Sequence, residues 1–357
     1  MNTRERITAC LKHQEPDRTP IFEYVLLSPI ADIFLGREYS ADPGKWQNFY
    51  QRLGFEQFIR QMAIDRIELA EILGHDMMYV SPNPTPDSFK ITDDIHIEQP
   101  ISDDPVRVVA ESNKRHLDED RCFPDEYLIY HFLNEEMSKR GLDIPILAPA
   151  YAHGIWTDVS LMQTMVLEPH VATEHFKLAT KRSLSRINQY ISLGIHQVGI
   201  GGDFAGNSLL ISPEMYRQFI VPELKYLSDQ IHQYGRYAVN ASDGNLWPVI
   251  DDFLIGSGVD GYLEIDFNAG MDLAKLKNRY GGQICFYGNI DCGNILSFED
   301  EHLVTQHTLK CIQDGLGQGG HIFTASNAIT SSVPVKNYIT MVNTYRRFFD
   351  IPSLSSY

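Results

Sequence analysis

Several acidic and basic side chains stand where apolar segments end. They are Asp243 in NASDGN, Asp203 after two glycines in GIGGD, Glu264 in YLEID and His153 in APAYAHGIW. A carboxyl group delivered by a strand end can give or take a proton, and histidine alone has an unperturbed pKa near neutrality, so these four are the candidate catalytic groups. Glu23, Tyr24, Tyr151, Asn240, Asp266, Asn289, Asp291 and Asn327 surround them at other segment ends and are the candidate substrate-binding groups. Each position also has a structural reading. Aspartate before glycine is common in turns for backbone reasons, as in Asp243–Gly244. Glu264 and Asp266 alternate and would equally cap a loop, Asn289 would tie one, and a histidine beside aromatics is often simply packed. Asp203 is favoured by its glycines, which let a backbone approach a ligand closely. No lysine or arginine closes any of these segments, so the lining fits a small neutral or cationic molecule.

The totals narrow the function class. With 47 acidic against 30 basic side chains, the formal charge of −17 opposes docking on nucleic acid or anionic lipid. The opening MNTRERITACLKHQEPDR has no apolar stretch of signal length, and the apolar uncharged run at residues 144–157 is too short to cross a bilayer. A cytoplasmic protein is expected. The five cysteines, Cys10, Cys122, Cys285, Cys292 and Cys311, include no CxxC pair and read as reduced thiols.

The elements that must position these groups alternate between apolar runs and helical periods. Ile21 to Val25 reads as a first strand and Met77 to Val80 as a second, with mostly helical residues between them that stop at Gly74. Residues 81–119 are polar and rich in Pro, Asp and Ser, and read as a β-rich excursion; Pro124 to Arg140 is a helix. Strands follow at residues 144–151, 196–203, 236–241, 258–266, 283–291 and 321–327, each leading into a helix. Ser212 and Pro213 form an N-cap and first-turn pair. Eight strands with intervening helices predict an α/β fold, a single (β/α)8 TIM barrel over 1–357, with an N-terminal helical extension and an insertion at 81–143 after the second strand. No dinucleotide or P-loop fingerprint is present.

Six segments in this order, RERITACLKHQEPDRTP, APAYAHGIW, GGDFAGNSLLISPEMYRQFIVPEL, NASDGN, YGNID and SNAITSSVPVKNY, resemble the uroporphyrinogen decarboxylase superfamily. That superfamily includes the decarboxylase and the methyltransferases of corrinoid-dependent methyl transfer. The decarboxylase holds its polycarboxylate substrate with arginines in a segment of the type MRQAGRY, whereas this chain reads IFEYVLLSPI. An acidic lining there would repel such a substrate. The zinc methyltransferases of the family use a His-x-Cys after the fifth strand and a Cys after the eighth; here those places read Ala241, Ser242, Asp243 and Asn327, so no metal is expected. The resemblance implies a corrinoid-dependent methyltransferase component acting on a small molecule, with carboxylates as general acids. The alternatives are a decarboxylase or other lyase, and a non-catalytic binding barrel. No tightly bound cofactor is expected; a corrinoid carried by a partner protein and a homodimer are the implied assemblies.

Overall fold

The computed structural model describes residues 1–90, 103–117 and 124–354. Seven strands, β1 (Met78–Tyr79), β2 (Ile146–Pro149), β3 (Gln197–Gly201), β4 (Tyr237–Ala241), β5 (Gly261–Leu263), β6 (Cys285–Tyr287) and β7 (His321–Ile322), lie in that order in one sheet. Pairing is parallel where β1 meets β2, β3 meets β4 and β6 meets β7. Parallel neighbours need a crossover connection, and the helices between strands supply it. All five residues of β3 are buried, as expected of a strand covered on both faces. The chain is thus a mixed α/β protein, and each of the seven strands lies within a segment that the sequence predicts.

The eighth prediction, a continuous strand over Ile21 to Val25, is corrected. Ile21 makes one parallel bridge to Phe323 and Leu26 one to Ile329, while the Ile21 carbonyl accepts from the Asp76 N–H at 2.7 Å. Between the two bridges the Glu23 carboxylate takes the Ala325 N–H at 3.3 Å, so a side chain occupies a place that a backbone carbonyl would fill in a ladder. The β-rich excursion is corrected in part. Pro105–Leu117 is a helix: the Asp104 side chain accepts from the Val106 N–H, and Val109 and Asn113, one turn apart, form its buried face. The alternating run at residues 95–101 lies outside the described residues, as does Cys122.

The chain divides into two compact units. One comprises Met1–Pro86, Pro124–Leu147 and Tyr262–Tyr357, the other Asp87–Phe123 and Ala148–Gly261. In the first, helix Phe55–Leu73 packs on Leu128–Arg140, and Glu301–Gly315 packs on Val335–Phe348. Its fully buried Asp76 is hydrogen-bonded by Arg6, by both terminal nitrogens of Arg18 and by the Ile21 N–H. Burying that carboxylate would be costly without such partners. In the second, Asn113 reaches from its helix to the Val171 carbonyl at the start of Pro169–Ser192. Among the described residues no helix is long and apolar enough to cross a membrane.

Candidate active site

In the first unit β5 delivers Glu264 one residue beyond its end. Its φ is 71° and it is 8% exposed, a left-handed conformation that a long L side chain rarely adopts. There Glu264 meets Tyr24, whose hydroxyl hydrogen-bonds with Glu264 and Tyr79. The Tyr24 and Tyr79 rings stand edge-on, 4.4 Å apart. Burial, reinforced by the charges of Glu264 and Tyr79, pushes the Tyr24 hydroxyl far above its ordinary pKa, so it keeps its proton at any physiological pH. Glu23 is 6% exposed, and burial raises its carboxyl to about 8 against the pull of the Ala325 N–H and nearby hydroxyls. Near neutrality it is therefore mostly protonated.

The other predicted residues of this unit tie loops. Asp291 is buried and accepts from the Asn268 amide at 2.8 Å and the Asn294 N–H at 3.0 Å. Asn289 donates its amide to the Met271 carbonyl, and Asp266 accepts from the Ala269 N–H. Asn327 accepts from the next residue's N–H at 2.6 Å. The Cys292 thiol lies 3.7 Å from the Ser326 hydroxyl, and burial holds it above its usual pKa.

A cavity of about 180 Å³ lies against Glu23 and Tyr24, β1 and the helix Phe55–Leu73. Three of its polar wall residues, Trp46, Arg66 and His75, were not among the predicted ones. Arg66 is the important omission, because a guanidinium shares the cavity with Glu23. Repulsion of anions therefore does not follow at this place, where the wall's own carboxyl, Glu23, is largely neutral and a guanidinium shares the wall with it. Arg66 comes from mid-helix, whereas strand patterning marks only residues at strand ends. Its spacing from Met62 and Ala70, four residues either way and both on the cavity wall, is the signal that could have found it.

In the second unit Asp203 and Asp243 come together: Asp203 Oδ1 accepts the Asp243 N–H at 3.0 Å. The Asp203 carbonyl in turn accepts from the N–H groups of Ile155 and Trp156. Gly244 (φ 93°) packs so closely that an added Cβ would lie 2.6 Å from the Gly206 carbonyl oxygen. Asn240 is buried in β4, donates to the Phe253 carbonyl and fills the space above Gly201. Tyr151 lies across Gly199, where a Cβ would come within 2.6 Å of its hydroxyl. His153 is buried, with Nε2 2.9 Å from Thr180 Oγ1, and Thr180 donates to Glu223. Burial lowers the His153 pKa to about 3, so the ring is neutral and packed near Phe176.

Residues 151–348 match the family described as uroporphyrinogen decarboxylase (URO-D). A uroporphyrinogen decarboxylase of Coxiella burnetii is 25% identical over 318 residues, covering 82% of this chain and 80% of its own. One from Geobacter metallireducens is 24% identical over 201 residues, covering 54% of this chain and 53% of its own. Among solved structures, a methyltransferase from Methanosarcina mazei superposes with a TM-score of 0.67 at 15% identity, covering 98% of this chain and 99% of that one. At that identity the likeness is one of fold.

Proposed function

The chain belongs to the uroporphyrinogen decarboxylase family, and from that premise we propose that it is a small-molecule enzyme of the methyl-transfer type, working by proton donation in a single (β/α)8 barrel. The observation that carries the reading is Tyr24, hydrogen-bonded to Glu264 and held protonated on the wall of a cavity of about 180 Å³. That volume is below the roughly 300–1,000 Å³ of drug-sized sites and supports a small substrate over a tetrapyrrole. As the methyl group departs, the heteroatom it leaves takes a proton from the Tyr24–Glu264 pair, which water then recharges; positioned donors of this kind contribute about 10²–10⁴-fold. In this reading a corrinoid carried by a partner protein supplies the methyl acceptor.

Zinc does not fit the residues present. Ala241 is a buried strand residue with no donor atom, and Asn327 engages its amide oxygen locally. A methyl, an amide and the single carboxylate of Asp243 are not the nitrogen and sulfur set that a tetrahedral zinc site uses. The barrel reading draws support from the Ile21 segment, which bridges to Phe323 on one side and bonds to Asp76 on the other, as an eighth strand would.

To test the function, the protein is mixed with reduced cobalamin and small methylated amines, ethers and thioethers, and methylcobalamin formation is followed by its visible spectrum. Turnover of at least one of them is expected. Decarboxylation is the second reading, favoured by the 25% identity to the Coxiella burnetii decarboxylase. Carbon dioxide release from uroporphyrinogen without any methyl transfer would select it.

A further inference from the structure

We infer that the cavity beside the helix Phe55–Leu73 is a carboxylate-binding pocket for a small monocarboxylic acid with an apolar body. Three buried polar atoms of its wall residues lack a hydrogen-bond partner: Trp46 Nε1, Arg66 Nε and His75 Nε2. Buried polar groups in folded proteins are paired in the great majority of cases, so three orphans on one cavity wall mark the place of a ligand. Glu23, on the same wall, is engaged by the Ala325 N–H and by the Thr324 and Tyr338 hydroxyls.

The chemistry of the orphans selects an anion. The indole and guanidinium nitrogens are donors only. Arg66 makes one hydrogen bond, a long 3.4 Å contact to the Tyr79 carbonyl, and among the described residues it has no carboxylate within ion-pair distance. A carboxylate offers two oxygens and matches the planar guanidinium fork better than any neutral acceptor. The rest of the wall is largely aliphatic, with Met62, Leu69 and Met78, and suits a hydrocarbon body. The inference gives the substrate of the proposed reaction its class, and it rests on that reading only for the claim that this ligand is the substrate. It replaces the neutral or cationic molecule that the strand ends alone suggest.

Isothermal titration calorimetry on the full chain with butyrate and benzoate, against butyramide, benzamide and butylamine, tests it. At least one acid is expected to bind, with its amide about tenfold weaker or more, the scale of one charge-assisted hydrogen bond. Arg66→Gln should weaken the acid by about tenfold or more and leave the amide unchanged, with Arg66→Lys between the two. Should Arg66→Gln fail to fold, Trp46→Phe removes one donor and is expected to weaken the acid several-fold. Amides or the amine binding as tightly as the acids, unchanged acid affinity in the folded Arg66 variants or in Trp46→Phe, or no acid binding at about 10 mM, where millimolar affinity would still register, each overturns the pocket. Acid binding without methyl transfer keeps the pocket and retires the reaction.

Discussion

Glu264 places a long acidic side chain in a backbone conformation that glycine would adopt without strain, and function and stability therefore pull apart at this residue. Glu264→Gly is expected to leave stability unchanged or raise it by about 1 kcal/mol, because the φ of 71° no longer carries strain, while turnover falls about 10²-fold or more. Urea unfolding and the methyl-transfer assay measure the two effects separately. Asp203 presents the opposite case. Its carboxylate accepts a backbone N–H from Asp243, so Asp203→Ala should cost about 1–2 kcal/mol, whereas Asp203→Asn keeps an acceptor and should cost less than half of that. Equal melting temperatures for the two variants would show that the bond contributes nothing. Glu23 adds a pH dependence. Its folded pKa of about 8 lies above the unfolded value of 4.5, so the folded state binds the extra proton, and stability falls as pH rises from 4.5 to 8. Glu23→Gln removes that slope, so its stability relative to the parent should grow across the window and level off above pH 8.

At the scale of elements, hydropathy periods and caps located most of what forms. Ser212 caps its helix by accepting from the Met215 N–H, Gly74 closes the helix Phe55–Leu73 at φ 74°, and the predicted segments around β1 to β7 contain the strands. The misses have a common physical cause, because side chains took places that pattern reading assigns to backbone. Glu23 enters the ladder near Ala325 and breaks the first strand, and the Asp104 cap turns a valine-rich stretch into a helix. The candidate site was legible only in part. Tyr24 and Glu264 stand at the ends of apolar segments, which strand patterning marks. Trp46 and Arg66 stand on helices and His75 just beyond one, and although the spacing of Met62, Arg66 and Ala70 puts Arg66 on one helix face, no one-dimensional pattern says that the three converge. Gly244 gives the element-scale test. A Cβ there would meet the Gly206 carbonyl oxygen at 2.6 Å in a left-handed turn, so Gly244→Ala should destabilise by about 2 kcal/mol or more, read by thermal unfolding.

For the molecule as a whole, buried histidines set the acid limb of stability. Burial lowers His75 and His153 to about 3 and His321 to about 4, so the unfolded chain gains protons first and stability is lost as pH falls from 6.5 towards those values. Glu23 acts the other way between 4.5 and 8. The lowered histidines, His175 and His307 among them, outweigh Glu23 below 6.5, while above it Glu23 and His232, raised by its hydrogen bond to Asp260, both lose stability, so stability should peak near pH 6.5. A urea series that placed the maximum above pH 8 would contradict this balance. Metal content belongs to the same scale: elemental analysis of protein purified without chelator should find far less than one zinc per chain. The bridges from Ile21 to Phe323 and from Leu26 to Ile329 join the earliest and latest parts of the first unit, and Arg18 reaches the hydroxyl of Tyr345. On the ribosome, the Arg18–Leu26 segment must wait for these neighbours until residues 323–345 have been made. Glu23 cannot meet the Ala325 N–H before then, so this seam of the first unit forms only after most of the unit has been synthesised, whatever else of it has folded.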